Sequence, residues 1–191
     1  MAKFRFIETD VPGLVVIEPT VFGDERGYFM ETWHHGTFAE AGIDVQFVQD
    51  NHSKSRRGVL RGLHFQWQNT QGKLVRVVQG RVFDVGVDVR PGSPYFGRWA
   101  GVELSDENKR QFYVPPGFAH GFLVLSNEAE FVYKCTDIYN PGAEGGIRWD
   151  DADIGIAWPD AGVPPQLSDK DLALPAFAGQ DFSAFEGWWQ A

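Results

Sequence analysis

The sequence predicts an all-β sandwich or barrel with a few short helices. Glycine (22) and proline (11) are frequent among the 191 residues and dispersed, so they punctuate short apolar runs. The run Val82-Phe83-Asp84-Val85-Gly86-Val87-Asp88-Val89 alternates with the two-residue period of a strand. Helix signals are few.

Taken in order, strands are expected at 13–18, 45–49, 59–66, 73–79, 82–89, 98–104, 111–114, 120–125 and 130–137, most of them bounded by Gly, Pro, Asn or Asp. Within 82–89, Phe83, Val85, Val87 and Val89 share one face, and Val82, Asp84, Gly86 and Asp88 the other. Pro91-Gly92-Ser93-Pro94 then turns the chain. One short helix is expected over 35–41, stopped at Gly42. A second is expected where Ser168-Asp169-Lys170-Asp171 has the form of a capping box before Pro175. No repeat, low-complexity tract or linker interrupts the chain. The expectation is one domain over 1–191, with a β core at about 13–140 and a C-terminal wrap at about 141–191. Phe177, Phe182, Phe185, Trp188 and Trp189 crowd the end of that wrap. Aromatic groups at that density pack either on the chain's own barrel or across a subunit interface.

Composition excludes several classes. Apolar residues make up 43% and charged residues 23%, as in an ordinary soluble protein. Cys135 is the single cysteine, which rules out an intrachain disulfide and a Cys-rich zinc site. The net charge of −9 argues against nucleic acid as a partner. No apolar run approaches the ~20 residues of a membrane helix, and Met1 to Glu8 lacks the apolar stretch of a signal peptide. A soluble cytoplasmic protein is expected. The charge is uneven: Lys54, Arg56, Arg57, Arg61, Lys73 and Arg76 make 51–76 a +6 island without an acid. Such an island suits a small anion, such as a phosphorylated ligand, or simply aids solubility.

Several side chains could carry chemistry. In Gly58 to Gln66, alternation puts Leu60, Gly62, His64 and Gln66 on one face, and Gly62 leaves room beside His64. His120 opens a strand after the Pro115-Pro116-Gly117 turn. Metal-binding barrels usually carry a His-x-His pair. None occurs here, and the adjacent His34 and His35 would point to opposite faces of a strand, so no metal is expected. Tyr133 shares a face with Phe131 and Cys135, and is either a core residue or a phenol offered to a ligand as a proton donor. Cys135 reads as a small buried residue. Lys73 is a surface lysine or an oxyanion stabiliser. Asp84 and Asp88 need partners if they are buried. Asp171 caps its own helix or orients a histidine.

The ordered segments Val21 to Glu31, Phe47 to Ser53, Gly58 to Gln66, Gly72 to Val77, Val82 to Arg90, Pro115 to Ser126, Tyr133 to Asp137, Gly146 to Asp150 and Leu167 to Asp171 closely resemble the dTDP-4-dehydrorhamnose 3,5-epimerase family. The resemblance implies a cupin-type jelly roll, a homodimer and a reaction that uses no metal or other cofactor. It implies a dTDP-4-keto-6-deoxyhexose substrate whose C5 and C3 are inverted through enolates of the C4 ketone. By the same resemblance His64 is the base, Asp171 orients it, Lys73 stabilises charge on the C4 oxygen, and Tyr133 returns a proton from the opposite face. Arg26, Glu31, Gln49, Asp50, Asn51, Arg61, His120, Glu144 and Lys170 match positions that hold the diphosphate or the sugar. Tyr28 and Phe29 would stack the thymine, and Tyr139 matches a pocket aromatic. The +6 island then reads as a diphosphate cradle. Relatives that invert only C3 or only C5 share most of these motifs. A non-catalytic barrel that binds a sugar nucleotide would keep the arginines without needing His64 and Tyr133 together.

Overall fold

The structure, a computed structural model, describes residues 3–187. Two antiparallel sheets face each other. The first has six strands in the order β1 (Phe4–Glu8), β2 (Val15–Pro19), β10 (Gln111–Val114), β7 (Lys73–Gln79), β12 (Glu128–Cys135) and β5 (Gln49–Arg56). The second has five, in the order β13 (Glu144–Gly146), β6 (Leu60–Gln66), β11 (Phe118–Val124), β8 (Arg81–Asp88) and β9 (Trp99–Ser105). A separate hairpin of β3 (Val21–Asp24) and β4 (Gly27–Met30) pairs with neither sheet. Two short helices, α1 (His35–Glu40) and α2 (Asp169–Leu172), complete the regular structure with two 3₁₀ turns. This is the all-β sandwich that the sequence predicts, in the jelly-roll form that the resemblance implies. Among the described residues, no helix is long and apolar enough to cross a membrane.

The core between the sheets is apolar at one end. Val75, Val77, Phe112, Val114 and Phe131 from the first sheet meet Val82, Val102, Leu104, Phe122 and Val124 from the second. Both outer faces are covered in part as well. On the first sheet, Phe38 of α1 packs with Phe4, Ile17, Leu74 and Tyr113. On the second, the C-terminal wrap lays Ile147, Ile154, Phe182 and Phe185 over Leu63, Phe65, Val85, Val87 and Val89. Burial of each such phenylalanine contributes about 2 kcal/mol. Phe177, Phe182 and Phe185 thus pack on their own chain, while Trp188 and Trp189 lie outside the described residues.

These covers explain how β8 reads. Its uniform apolar face looks outward, under the wrap, and its mixed face of Val82, Asp84, Gly86 and Asp88 looks inward. Both aspartates are fully buried, and both have partners: Asp88 accepts from Arg90 and Ser93, and Asp84 lies against His120.

Two expectations need correction. The strand expected at 45–49 is irregular chain up to Val48, and β5 begins at Gln49. Val45 and Phe47 alternate because they pack on the outer cover beside Trp33 and Phe38. The real strand, Gln49–Arg56, is polar throughout and so carries no hydrophobic period. The second correction concerns β6. Alternation fails there because Gly62 adopts a φ of +110° and the register with β11 shifts. His64 lies opposite His120, but Arg61 lies opposite Phe122, so β6 has one residue more than β11 over that stretch. Leu60 therefore turns outward, into a cluster with Leu123 and Ala161, while Arg61 joins His64 on the inner wall.

Only glycine fits that slip. A Cβ on residue 62 would come within 2.6 Å of the Gly121 Cα and of the His120 carbonyl oxygen. Gly62→Ala is expected to lower stability by about 2–4 kcal/mol, read as a shift in the urea midpoint. A shift under about 0.5 kcal/mol would mean that the slip tolerates a side chain.

Candidate active site

The inner wall vacated by the apolar core holds the polar groups. Arg61, His64, His120, Lys73 and Tyr133 line a cavity of about 230 Å³ between the sheets, with Ser53 and Phe131 beside them. A contiguous hollow of about 100 Å³ shares His64, Lys73 and Tyr133 and adds Gln66, Tyr139 and Glu144. His64 belongs to the five-stranded sheet, whereas Lys73 and Tyr133 belong to the six-stranded one. The imidazole on one wall thus faces the amine and the phenol on the other.

His64 Nε2 lies 2.5 Å from Asp171 Oδ1. Asp171, only 5% exposed, also accepts from the Ser168 hydroxyl at 2.8 Å through Oδ2. Of the two roles open to Asp171 in the sequence, the geometry fits the orienting one, and the cap is Ser168. Ser168 caps α2 by accepting from the Asp171 backbone N–H, and that cap aims the Asp171 carboxylate at His64. Burial opposes charge on Asp171. The His64 bond and charge, the Ser168 hydroxyl and the Gly62 N–H outweigh it and hold the carboxyl below its ordinary value.

Lys73 starts β7, and among the described residues it has no ion pair or hydrogen bond through Nζ. Burial pulls its pKa down, while Cys135, Asp84 and Glu144 pull it back up. Tyr133 likewise has no hydroxyl partner among the described residues, and burial pushes its phenol up, against the nearby Arg61. An unpartnered amine and an unpartnered phenol beside an oriented imidazole form a site prepared for a ligand's oxygens and protons. The Arg61 guanidinium donates to Ser55 Oγ at 3.1 and 3.2 Å, which fixes it against β5.

At the cavity mouth, Glu144 accepts from the Tyr139 hydroxyl at 2.6 Å and from Lys170. Burial raises the Glu144 pKa, but those two donors prevail and lower it. Gln49 accepts from the Tyr139 N–H at 2.8 Å and donates to Asn51, whose amide in turn donates to Cys135 Sγ. Gln66, placed on the His64 face by the sequence but given no role, ties down the same loop: its Oε1 accepts from the Asn140 N–H and its Nε2 donates to the Ile138 carbonyl. Its signal was its place two residues beyond His64 in β6. Asp84 was singled out only as needing a partner, and it proves to be His120's support.

Other expected residues lie elsewhere in this chain. Arg26, Tyr28 and Phe29 sit on the β3–β4 hairpin, where Arg26 pairs with Asp24 and Tyr28 and Phe29 are 58% and 70% exposed. Glu31 pairs with Lys3. Asp50 pairs with Lys134, and both border a second hollow of about 340 Å³ with Arg76 and Asn51. The basic island therefore does not form one cradle. Lys54 is held by Glu128, Arg57 donates to Asn127, and only Arg61 and Lys73 of the six line the cavity between the sheets. Among the described residues, no group of three or more His, Cys, Asp or Glu side chains is arranged to hold a metal.

Residues 8–179 match the family model for dTDP-4-dehydrorhamnose 3,5-epimerase. The chain is 60% identical over 159 residues to the dTDP-4-dehydrorhamnose 3,5-epimerase of Methanothermobacter thermautotrophicus, covering 83% of this chain and 86% of that protein. The crystal structure of dTDP-6-deoxy-D-glucose-3,5-epimerase from Legionella pneumophila, in complex with dTDP-4-keto-L-rhamnose, superposes with a TM-score of 0.92 at 53% identity, covering 95% and 96% of the two chains. The 3'-monoepimerase of Streptomyces bikiniensis, in complex with dTDP-quinovose, superposes with a TM-score of 0.87 at 36% identity, covering 95% and 94%.

The lowered Asp171 pKa carries a pH signature. A carboxyl held low in the folded state adds stability above its unfolded value, and that part is lost as pH falls through the folded value. Wild type should therefore lose its advantage over Asp171→Asn as pH drops below the ordinary 3.8, read by thermal melts from pH 7 to 2.5. A stability gap independent of pH would contradict the charge-based account.

Proposed function

The chain belongs to the dTDP-4-dehydrorhamnose 3,5-epimerase family, and from that premise we propose that its cavity converts dTDP-4-dehydro-6-deoxy-D-glucose to dTDP-4-dehydro-L-rhamnose by inverting C5 and C3. It is a carbohydrate epimerase, an isomerase. The observation that carries the residue roles is the pairing of an oriented imidazole on one sheet with an unpartnered lysine and tyrosine on the facing sheet.

Both protons to be moved lie alpha to the C4 ketone, so their loss gives an enolate rather than a free carbanion. His64 takes the proton. Asp171 behind it fixes the tautomer and stabilises the imidazolium that forms. Lys73 meets the charge developing on the C4 oxygen, where a nearby ammonium lowers the cost of the enolate. Tyr133 returns a proton to carbon from the other wall. Removal on one face and return on the opposite face is inversion. The Tyr133 phenol keeps its proton until a strongly basic carbon is presented, because burial raises its pKa. Solvent then resets both groups. Arg61 and His120 serve the sugar diphosphate from the inner wall. Tyr139, Glu144, Lys170, Gln49 and Asn51 serve it from the mouth. No step is assigned to a cofactor.

The exposure of the hairpin residues supports a second chain at the site. Arg26, Tyr28 and Phe29 lie on a two-stranded arm that carries exposed Phe22 as well and pairs with no other strand. An apolar arm of this kind rarely stays in water. We read it as reaching a partner subunit in a homodimer, where Arg26 would face the diphosphate and the aromatics the thymine, with Glu31 at the root of the arm and Asp50 on the edge strand it approaches. All 191 residues form one catalytic unit in this reading, and each dimer carries two composite sites.

Proton NMR of the keto-sugar nucleotide in D₂O tests the activity. Wild type should erase both the C5 and C3 signals. Erasure of one alone would make the chain a mono-epimerase. His64→Ala should abolish exchange at both carbons, and near-normal exchange would remove His64 from the base role. Tyr133→Phe should depress net inversion at least tenfold more than exchange.

Subunit mixing tests the composite site. Arg26→Ala and His64→Ala should each be inactive alone. After unfolding and refolding together, half the dimers are mixed and each holds one intact site, so activity should return to about a quarter of wild type. No recovery, or a monomeric mass by light scattering, would refute the shared site.

A further inference from the structure

Asp84 has no catalytic role in the scheme above, yet it stands directly behind the cavity wall. It lies on the inward face of β8, opposite Phe122 of β11 and Val102 of β9, with no exposure to solvent. His120 Nε2 is 2.9 Å from its Oδ1 and 3.1 Å from its Oδ2. Among the described residues no other donor hydrogen-bonds it, and Lys73 acts on it by charge without a contact.

That poverty of donors sets Asp84 apart from the other buried carboxyl groups. Asp88 accepts from the Arg90 backbone N–H, from the Arg90 guanidinium and from the Ser93 hydroxyl. Asp151 accepts from the backbone N–H groups of Asp153, Ile154 and Phe177. Asp171 has His64, Ser168 and the Gly62 N–H. A carboxylate offers about four lone-pair sites and needs several donors when it leaves water. Asp84 has one ring nitrogen.

His120 is the other half of the pair. It lies directly opposite His64 in the β6–β11 register and lines the cavity with Arg61 and Lys73. Its Nε2 is occupied by Asp84, so Nδ1 is the ring nitrogen left for a ligand. A ketone, an enolate and a diphosphate present only acceptor oxygens. A bare Nδ1 lone pair would repel any of them, whereas an Nδ1–H would hold one.

We propose that Asp84 and His120 hold two protons between them, so that the pair is net neutral and His120 presents an Nδ1–H donor to the substrate's oxygens. Asp84 is then a positioning residue: it sets the tautomer of an imidazole that binds substrate. The proton count is met by a carboxylic acid donating to Nε2, or by a carboxylate facing an imidazolium, and both forms place a proton on Nδ1. Burial favours the first, because it pushes Asp84 up and His120 down. The proposal rests on the epimerase reading of the cavity for its ligand, but not for its proton count.

The test is ¹⁵N NMR of the full-length protein labelled at histidine, without substrate at pH 7, with His120→Gln used to assign the signals. Wild type should show a protonated Nδ1 at His120. Asp84→Asn should keep it, because an amide N–H can donate to Nε2 as the acid does. In Asp84→Leu both tautomers should appear, and kcat/KM should fall by roughly 10- to 100-fold, against about threefold for the Asn variant. An unprotonated Nδ1 in wild type overturns the proposal, and so does an Asn variant as impaired as the Leu variant. If Asp84→Leu does not fold, the wild-type and Asn spectra decide alone. Failure of the epimerase reading would appear instead as a wild type that exchanges no substrate proton while the His120 spectrum is unaffected.

Discussion

Between Leu60 and His64, β6 carries one residue more than the strand it pairs with, and the rest of the site depends on that surplus. Strict alternation would put Arg61 and His64 on opposite faces of the sheet. With Gly62 at positive φ, close against the Gly121 Cα, both turn to the inner wall. The same slip brings the Gly62 N–H to the Asp171 carboxylate, which orients His64. A cation for an anionic ligand, a base and the base's support are therefore set by one backbone irregularity. Bulges are common beside active sites because they re-aim a side chain without breaking the sheet.

The second constraint is the cost of a polar interior. One end of the space between the sheets is an ordinary apolar core, and that end holds the sheets together. The other end contains an amine and a phenol that find no protein partner among the described residues. Leaving such groups unpaired costs roughly 1–3 kcal/mol each unless water reaches them. The outer covers supply the compensation. Clusters on both outer faces, around Phe38 on one sheet and around Phe182 and Phe185 on the other, bury aromatic area that the inner cavity gives up. The C-terminal wrap thus stabilises the fold and also delivers Asp171 and Lys170 to the cavity from α2.

Where the sequence carried a period, it was readable. The alternation of β8 located that strand, and the capping box located α2 almost to the residue. The site was readable where a chemical type stood out against its strand, as His64 and Tyr133 do. Illegible parts share a physical cause. Gln49–Arg56 lacks an apolar face because one side lines the site and the other meets solvent, so its strand leaves no hydrophobic trace. Which face of β8 looks inward was not readable, since the wrap that buries its apolar face comes from beyond residue 140. Leu60 was placed beside His64 because no pattern in a single strand announces an extra residue opposite a distant partner.

The hairpin is the remaining element that local logic does not explain within one chain. A two-stranded ribbon with Val21, Phe22, Tyr28 and Phe29 exposed has too little buried area to be stable alone. Its inner contacts are slight: Lys109 lies over the Tyr28 ring, and Asp24 holds Arg26 across the turn. Yet the two strands keep full pairing from Val21–Met30 to Asp24–Gly27. Asp24 accepts from the Arg26 backbone N–H and from its guanidinium, which holds the arginine at the tip of the turn. The ribbon is aromatic along its length, and the one guanidinium at its tip is held by Asp24 beside Glu25. In the composite site proposed above, release of Arg26 from Asp24 to the substrate's diphosphate would make ligand binding and subunit association mutually reinforcing, by the linkage that a shared site imposes.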